Sequence, residues 1–259
     1  MSPSKATTTS GTSAAAAGRR RRPGQGARGQ GDGSPFGHGD IPTSLLLIFP
    51  LFLAYEVGVM FSPTVNGVDF VTRWVFAAVG YDRERYLYVH LGLAVGFLAL
   101  LIYLRAKRGF TLRILPPVLI ESVVYALTLG TVIVFVMDRV LGLGANELGG
   151  SAQAIVMSLG AGVHEEMVFR LGLMGGAIAA LTLVRFDRGP AVLVALAASA
   201  ALFSAAHHAG PLGEPFDTTV FVYRLLAGVA FGLIFYFRSL AHAVYAHFLY
   251  DVYVMVLRS

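Results

Sequence analysis

The segment Gly162 to Gly172 reads GVHEEMVFRLG and sets a histidine, two adjacent glutamates and an arginine within a run apolar enough to cross a bilayer. One ionised group at the bilayer centre costs roughly 2.5 to 3.5 kcal/mol on insertion scales, so Glu165, Glu166 and Arg170 together cost on the order of 10 kcal/mol unless paired or hydrated. Intramembrane ionisable residues are functional by default. Glu166 and Arg170 are four residues apart, which makes an ion pair available along one helix face and leaves Glu165 facing elsewhere. In a low-dielectric cavity such a carboxylate is suited to general-base work.

Two further stretches supply partners. LFSAAHHAGPLG, residues 202 to 213, sets Phe203 and His207 one turn apart just before glycine and proline stop the helix. LAHAVYAHFLYDVYVMVL, residues 240 to 257, sets His247 and Asp251 four apart, so the acid can orient the imidazole. Gathering Glu165, His207, His247 and Asp251 from three spans into one wet cavity keeps their polar groups out of lipid. A zinc ion held by Glu165, His207 and His247, with one position left for water, is one chemistry open to that set. A local zinc motif is excluded, because Val168 stands where HExxH needs its second histidine.

The elements that must position these groups are read from composition. The chain has 259 residues, 56% hydrophobic and 14% charged, with mean hydropathy +0.67, against about 25% charged in soluble domains. The reading is an all-α, polytopic transmembrane helix bundle with seven or eight spans. Seven segments approach the roughly 20 apolar residues a span needs: about 43 to 61, 87 to 104, 114 to 137, 151 to 184, 190 to 208, 218 to 237 and 240 to 257. The fourth is overlong, which predicts a tilt or a break at MGG. FVTRWVFAAVGY, 69 to 80, carries the only tryptophan and reads as an interfacial helix or an eighth span. Pro116 and Pro117 mark a helix start or kink. Gly228 and Gly232 form a small-xxx-small face for close helix packing.

Residues 1 to 40, rich in Ser, Ala, Gly and Arg, read as a disordered basic tail, and 41 to 259 as one membrane domain. The net charge of +5 sits in that tail and between apolar segments. Such charge orients a membrane protein and does not point to nucleic acid. It places the N-terminus, the 105 to 113 loop, Arg185, Arg188 and Arg238 in the cytoplasm. The absence of cysteine excludes disulfides and thiolate chemistry.

In this order, EExxxR (Glu165, Glu166, Arg170), FxxxH (Phe203, His207) and HxxxD (His247, Asp251) resemble the CPBP family (CAAX protease and bacteriocin-processing) of intramembrane proteases. That family includes type II CAAX prenyl endopeptidases and lysostaphin-resistance-protein-like bacterial proteins. The resemblance covers about residues 114 to 257. It implies a multi-pass protein of the bacterial cytoplasmic membrane that hydrolyses a peptide bond in a membrane-associated or CAAX-like, prenylated substrate. It also implies that Glu165 and His207 activate water, that His247 and Asp251 stabilise the oxyanion, and that Glu166 and Arg170 support them. Asp251 departs from the asparagine usual in prenyl endopeptidases, and an ionised aspartate only accepts hydrogen bonds. Orienting His247 or joining a metal site are its other roles. Two competing classes use the same residues: a proton-coupled transporter with a relay through Glu56, Glu121, Glu165, Arg224 and Asp251, and a non-catalytic bacteriocin-immunity-like membrane protein.

Overall fold

Lipid offers no hydrogen bonds to a backbone, so apolar stretches of this length close their amides within helices. The computed structural model describes residues 41–61, 66–108, 112–142, 152–209 and 213–254, all within one compact unit, Gly33–Ser259. The tail at 1 to 40 lies outside the described residues. Among the described residues all regular structure is helical. The long elements are α1 (Ile41–Gly58), α2 (Phe70–Ala78), α3 (Arg83–Arg108), α4 (Leu115–Phe135), α5 (Ala152–Gly160), α6 (Gly176–Leu183), α7 (Arg188–Ala206), α8 (Thr218–Phe237) and α9 (Leu240–Val252). α4 starts on Pro116 and Pro117, where a missing N–H costs nothing.

Among the described residues six helices are long and apolar enough to cross a membrane: Ile41–Phe61, Arg83–Leu104, Leu115–Val140, Ile155–Leu183, Arg188–Ala206 and Thr218–Phe237. The expected seven or eight is therefore an overcount. α9 has only 13 residues, about 20 Å at 1.5 Å per residue. Its apolarity answers to protein, not lipid: Leu240, Ala241, Ala243, Val244 and Ala246 are wholly buried, and it packs against α1, α4, α5 and α8. α2 has nine residues, capped by Asp69, whose carboxylate accepts from the Thr72 amide, and it leaves Trp74 exposed. Nine residues are too few to span, so α2 is not an eighth span. α3 also exposes Leu91, Val95 and Leu98, as a helix facing lipid does.

The overlong fourth segment is unbroken, but it changes its winding. A π-helix, Ala161–Gly175, joins α5 to α6, so MGG is where π winding returns to α. Hydrogen bonds from i to i+5 widen the turn, and such segments gather at functional sites. Within it His164, Glu165, Glu166 and Arg170 are all buried. Gly162 permits the contact with α9, since a Cβ there would lie 2.9 Å from the Val244 carbonyl oxygen. Gly228 likewise lets α8 meet α7, with a Cβ position 3.1 Å from Ala200 Cα. The small-residue face is thus packing.

Candidate active site

The π segment runs antiparallel to α7. Ser199 Oγ donates to the Phe169 carbonyl (2.7 Å), and one pair of turns further on His207, the C-cap of α7, reaches Glu165. α7 therefore ends level with Glu165, ten residues into the Ile155–Leu183 helix. This register is how a histidine at one helix end meets one in the second turn of α9. The chain is held there after His207 by Glu214, whose amide donates to the His207 carbonyl (2.9 Å) and whose carboxylate takes both Arg224 nitrogens (2.8 and 2.9 Å). Those hydrogen bonds hold the Glu214 carboxyl below the usual carboxylate range.

The four principal residues come together. Glu165 Oε2 lies 3.6 Å from His207 Nε2 and 4.0 Å from His247 Nε2, and Asp251 Oδ2 lies 3.5 Å from that same His247 nitrogen. Both imidazoles are oriented from behind. His207 Nδ1 donates to the Phe203 carbonyl (2.8 Å), and His247 Nδ1 donates to Glu166 Oε1 (2.8 Å). Each ring thereby aims Nε2 at Glu165. The orienting bond on His247 comes from Glu166, while Asp251 sits on the inward side, against Nε2.

Glu166 also meets Arg170, whose Nε is 3.1 Å from its Oε2, and Arg170 Nη2 donates to the Gly228 carbonyl (3.2 Å). The guanidinium lies 4.4 Å from the centre of the Phe203 ring, and Phe231 stacks on His247 at 4.3 Å. Phe203 thus supports both Arg170 and His207. A buried triad, His247–Glu166–Arg170, stands behind the reactive face with every member under 6% exposed.

One residue was not singled out from the sequence. Asn66 Nδ2 donates to Glu165 Oε1 (2.8 Å), while its amide donates to the Tyr55 hydroxyl oxygen (3.1 Å). No spacing links it to residue 165. A surface cavity lined by Gly67, Val68, Asp69, Arg73 and Val168 opens beside this loop.

The inward atoms, two imidazole Nε2 and two carboxylate oxygens, are all acceptors when the rings are neutral. That donor set suits zinc, which takes imidazole and carboxylate ligands. It suits a proton or a polarised water as well. The proposed relay residues do not form a line: Glu121 pairs with Arg238, Arg224 with Glu214, and Glu56 sits in a separate cluster.

A six-span helical bundle with a buried carboxylate and two imidazoles on converging helices defines the class: an integral, multi-pass membrane protein with a polar centre among its helices. Residues 148–253 match the family model described as Type II CAAX prenyl endopeptidase Rce1-like. The matched stretch is similar to that family, and it contains every site residue except Asn66. Neither the curated proteins nor the solved structures give a match.

Proposed function

We propose that the protein cleaves a peptide bond in a membrane-associated substrate by water attack, with Glu165 as the base. The observation that supports this most is the facing pair Glu165 Oε2 and His207 Nε2, 3.6 Å apart. Their other atoms are committed, Oε1 to Asn66 and Nδ1 to the Phe203 carbonyl. A water seated beside the pair can donate to both atoms. Glu165 takes one proton as the oxygen attacks the carbonyl carbon and passes it to His207 Nε2, which delivers it to the amine as the C–N bond breaks, so Glu165 is regenerated and no covalent enzyme intermediate is needed. Bound zinc, held by Glu165, His207 and His247, would lower the pKa of the water and polarise the carbonyl. His247, held by Glu166, stabilises the developing oxyanion only when its ring is protonated and Nε2 carries a hydrogen to donate. An ionised Asp251 donates nothing to that oxygen, so its part in this reading is to hold His247 or to complete the ligand set.

A prenylated CAAX-like tail is the substrate this reading favours, with the bilayer concentrating the lipid anchor beside the site. The test is proteoliposome cleavage of farnesylated and unprenylated peptides of one sequence, alongside a peptidomic comparison of membranes carrying wild type or Glu165→Gln. Glu165→Gln is expected to lower cleavage by about 10²- to 10⁴-fold, the usual worth of a general base, with expression and insertion unchanged. Undiminished proteolysis in that variant would overturn the reading.

A further inference from the structure

His164 precedes Glu165 yet serves a different centre. Its Nδ1 donates to the Gly160 carbonyl (3.2 Å), which turns the Nε2 lone pair toward α1 and the start of α2. There Nε2 lies 3.3 Å from Asp69 Oδ1 and 3.8 Å from Glu56 Oε1. One ligand atom from each of Glu56, Asp69 and His164 falls within 4.8 Å of the others. Tetrahedral zinc with bonds near 2.0–2.1 Å spaces its ligand atoms by about 3.3 Å.

Burial and charge both ask for an occupant. Glu56 and Asp69 are wholly buried and His164 is 4% exposed. His164 Nε2 and Glu56 Oε1 have no hydrogen-bond partner. Among the described residues no lysine or arginine pairs with either carboxylate; their only ion-pair neighbours are His90 and His164. Buried charge is tolerated when it is paired or coordinates a metal. The remaining oxygens are already held as ligand-orienting partners hold them. Glu56 Oε2 accepts from Thr72 Oγ1 (3.0 Å) and the Tyr86 hydroxyl, Asp69 Oδ2 from the Tyr55 hydroxyl (2.6 Å), and Asp69 Oδ1 from the Thr72 amide (2.9 Å).

We propose that Glu56, Asp69 and His164 bind one divalent metal ion of the zinc type, at a buried structural site distinct from the Glu165 centre. The ion ties α1, the turn before α2 and the π segment together. It thereby fixes Asn66, three residues from Asp69, against Glu165. The competing occupant is a proton, which would make His164 an imidazolium between two carboxylates.

The test does not depend on proteolysis, because it is run in full-length protein carrying Glu165→Gln and His207→Gln. Detergent-purified protein is stripped with a chelator, reloaded with zinc, desalted and assayed by elemental mass spectrometry. About one zinc per chain is expected, falling below about one tenth when His164→Gln or Asp69→Asn is added. Asp69→Asn keeps an acceptor oxygen for the Thr72 amide, so the cap survives, and its Nδ2 can donate to the Tyr55 hydroxyl oxygen instead of accepting from it. Equal zinc with and without these changes, or no zinc in the starting protein, overturns the proposal. Should neither added variant purify as a monodisperse species, the starting protein decides: its thermal midpoint must rise with added zinc, and an unchanged midpoint overturns the site.

Discussion

Asn66 shows what a single residue adds to the candidate centre. The hydrogen bond that its side-chain Nδ2 donates to Glu165 Oε1 leaves Oε2 as the oxygen facing the two imidazoles. A hydrogen bond to a charged group is worth about 1.5–3 kcal/mol. Asn66→Ala is therefore expected to lower kcat by about 10- to 100-fold with little change in KM, read by steady-state cleavage in proteoliposomes. Arg170 has a different part, since it touches no inward-facing atom. It neutralises Glu166, which in turn orients His247. Removing one partner of a buried pair costs about 3–5 kcal/mol, so Arg170→Met is expected to lower the thermal midpoint in detergent as well as activity. An unaltered midpoint would mean that Glu166 finds another partner.

Among the elements, the π segment decides the site. Its wide turns bury His164, Glu165 and Glu166 in succession. His164 then faces the α1 cluster, while Glu165 and Glu166 face α7 and α9. In regular α winding, three consecutive residues would spread over most of the helix circumference, at about 100° each. The contact with α9 depends on Gly162. Gly162→Ala places a Cβ against the Val244 carbonyl and 3.0 Å from Phe248 Cβ, and overpacking of this kind costs about 1–3 kcal/mol. Because the same displacement draws His247 away from Glu165, activity is expected to fall more than stability. Parallel melting and cleavage assays of Gly162→Ala check this.

At the scale of the whole molecule, the six candidate spans among the described residues and the basic N-terminal residues predict a topology that can be tested directly. A cytoplasmic N-terminus, as the positive-charge pattern predicts, would put the 184–187 turn on the cytoplasmic side and the 213–217 loop on the other. The chain has no cysteine, so single-cysteine labelling needs no background removed. Leu183→Cys and Phe216→Cys, both at exposed positions, are expected to react with an impermeant maleimide from opposite faces of sealed vesicles. Labelling from one face would refute the six-span topology.

The sequence by itself determined the helical class, most of the span boundaries and the identity of the charged residues that lipid would not tolerate. Hydropathy and the price of burying charge act residue by residue, so they can be read along a line. It also marked Glu165, His207, His247 and Asp251, because each is a polar group in an apolar helix whose burial lipid would not tolerate. The status of α9 was misjudged for the same reason: an apolar residue facing protein and one facing lipid look alike in a sequence. Only the tertiary structure decided that α9 is core, that Glu166 orients His247, that Asn66 reaches Glu165 across 99 positions, and that His164 joins Glu56 and Asp69. Those are relations between distant segments, set by winding, register and the close approach that glycines allow, and no local spacing encodes them.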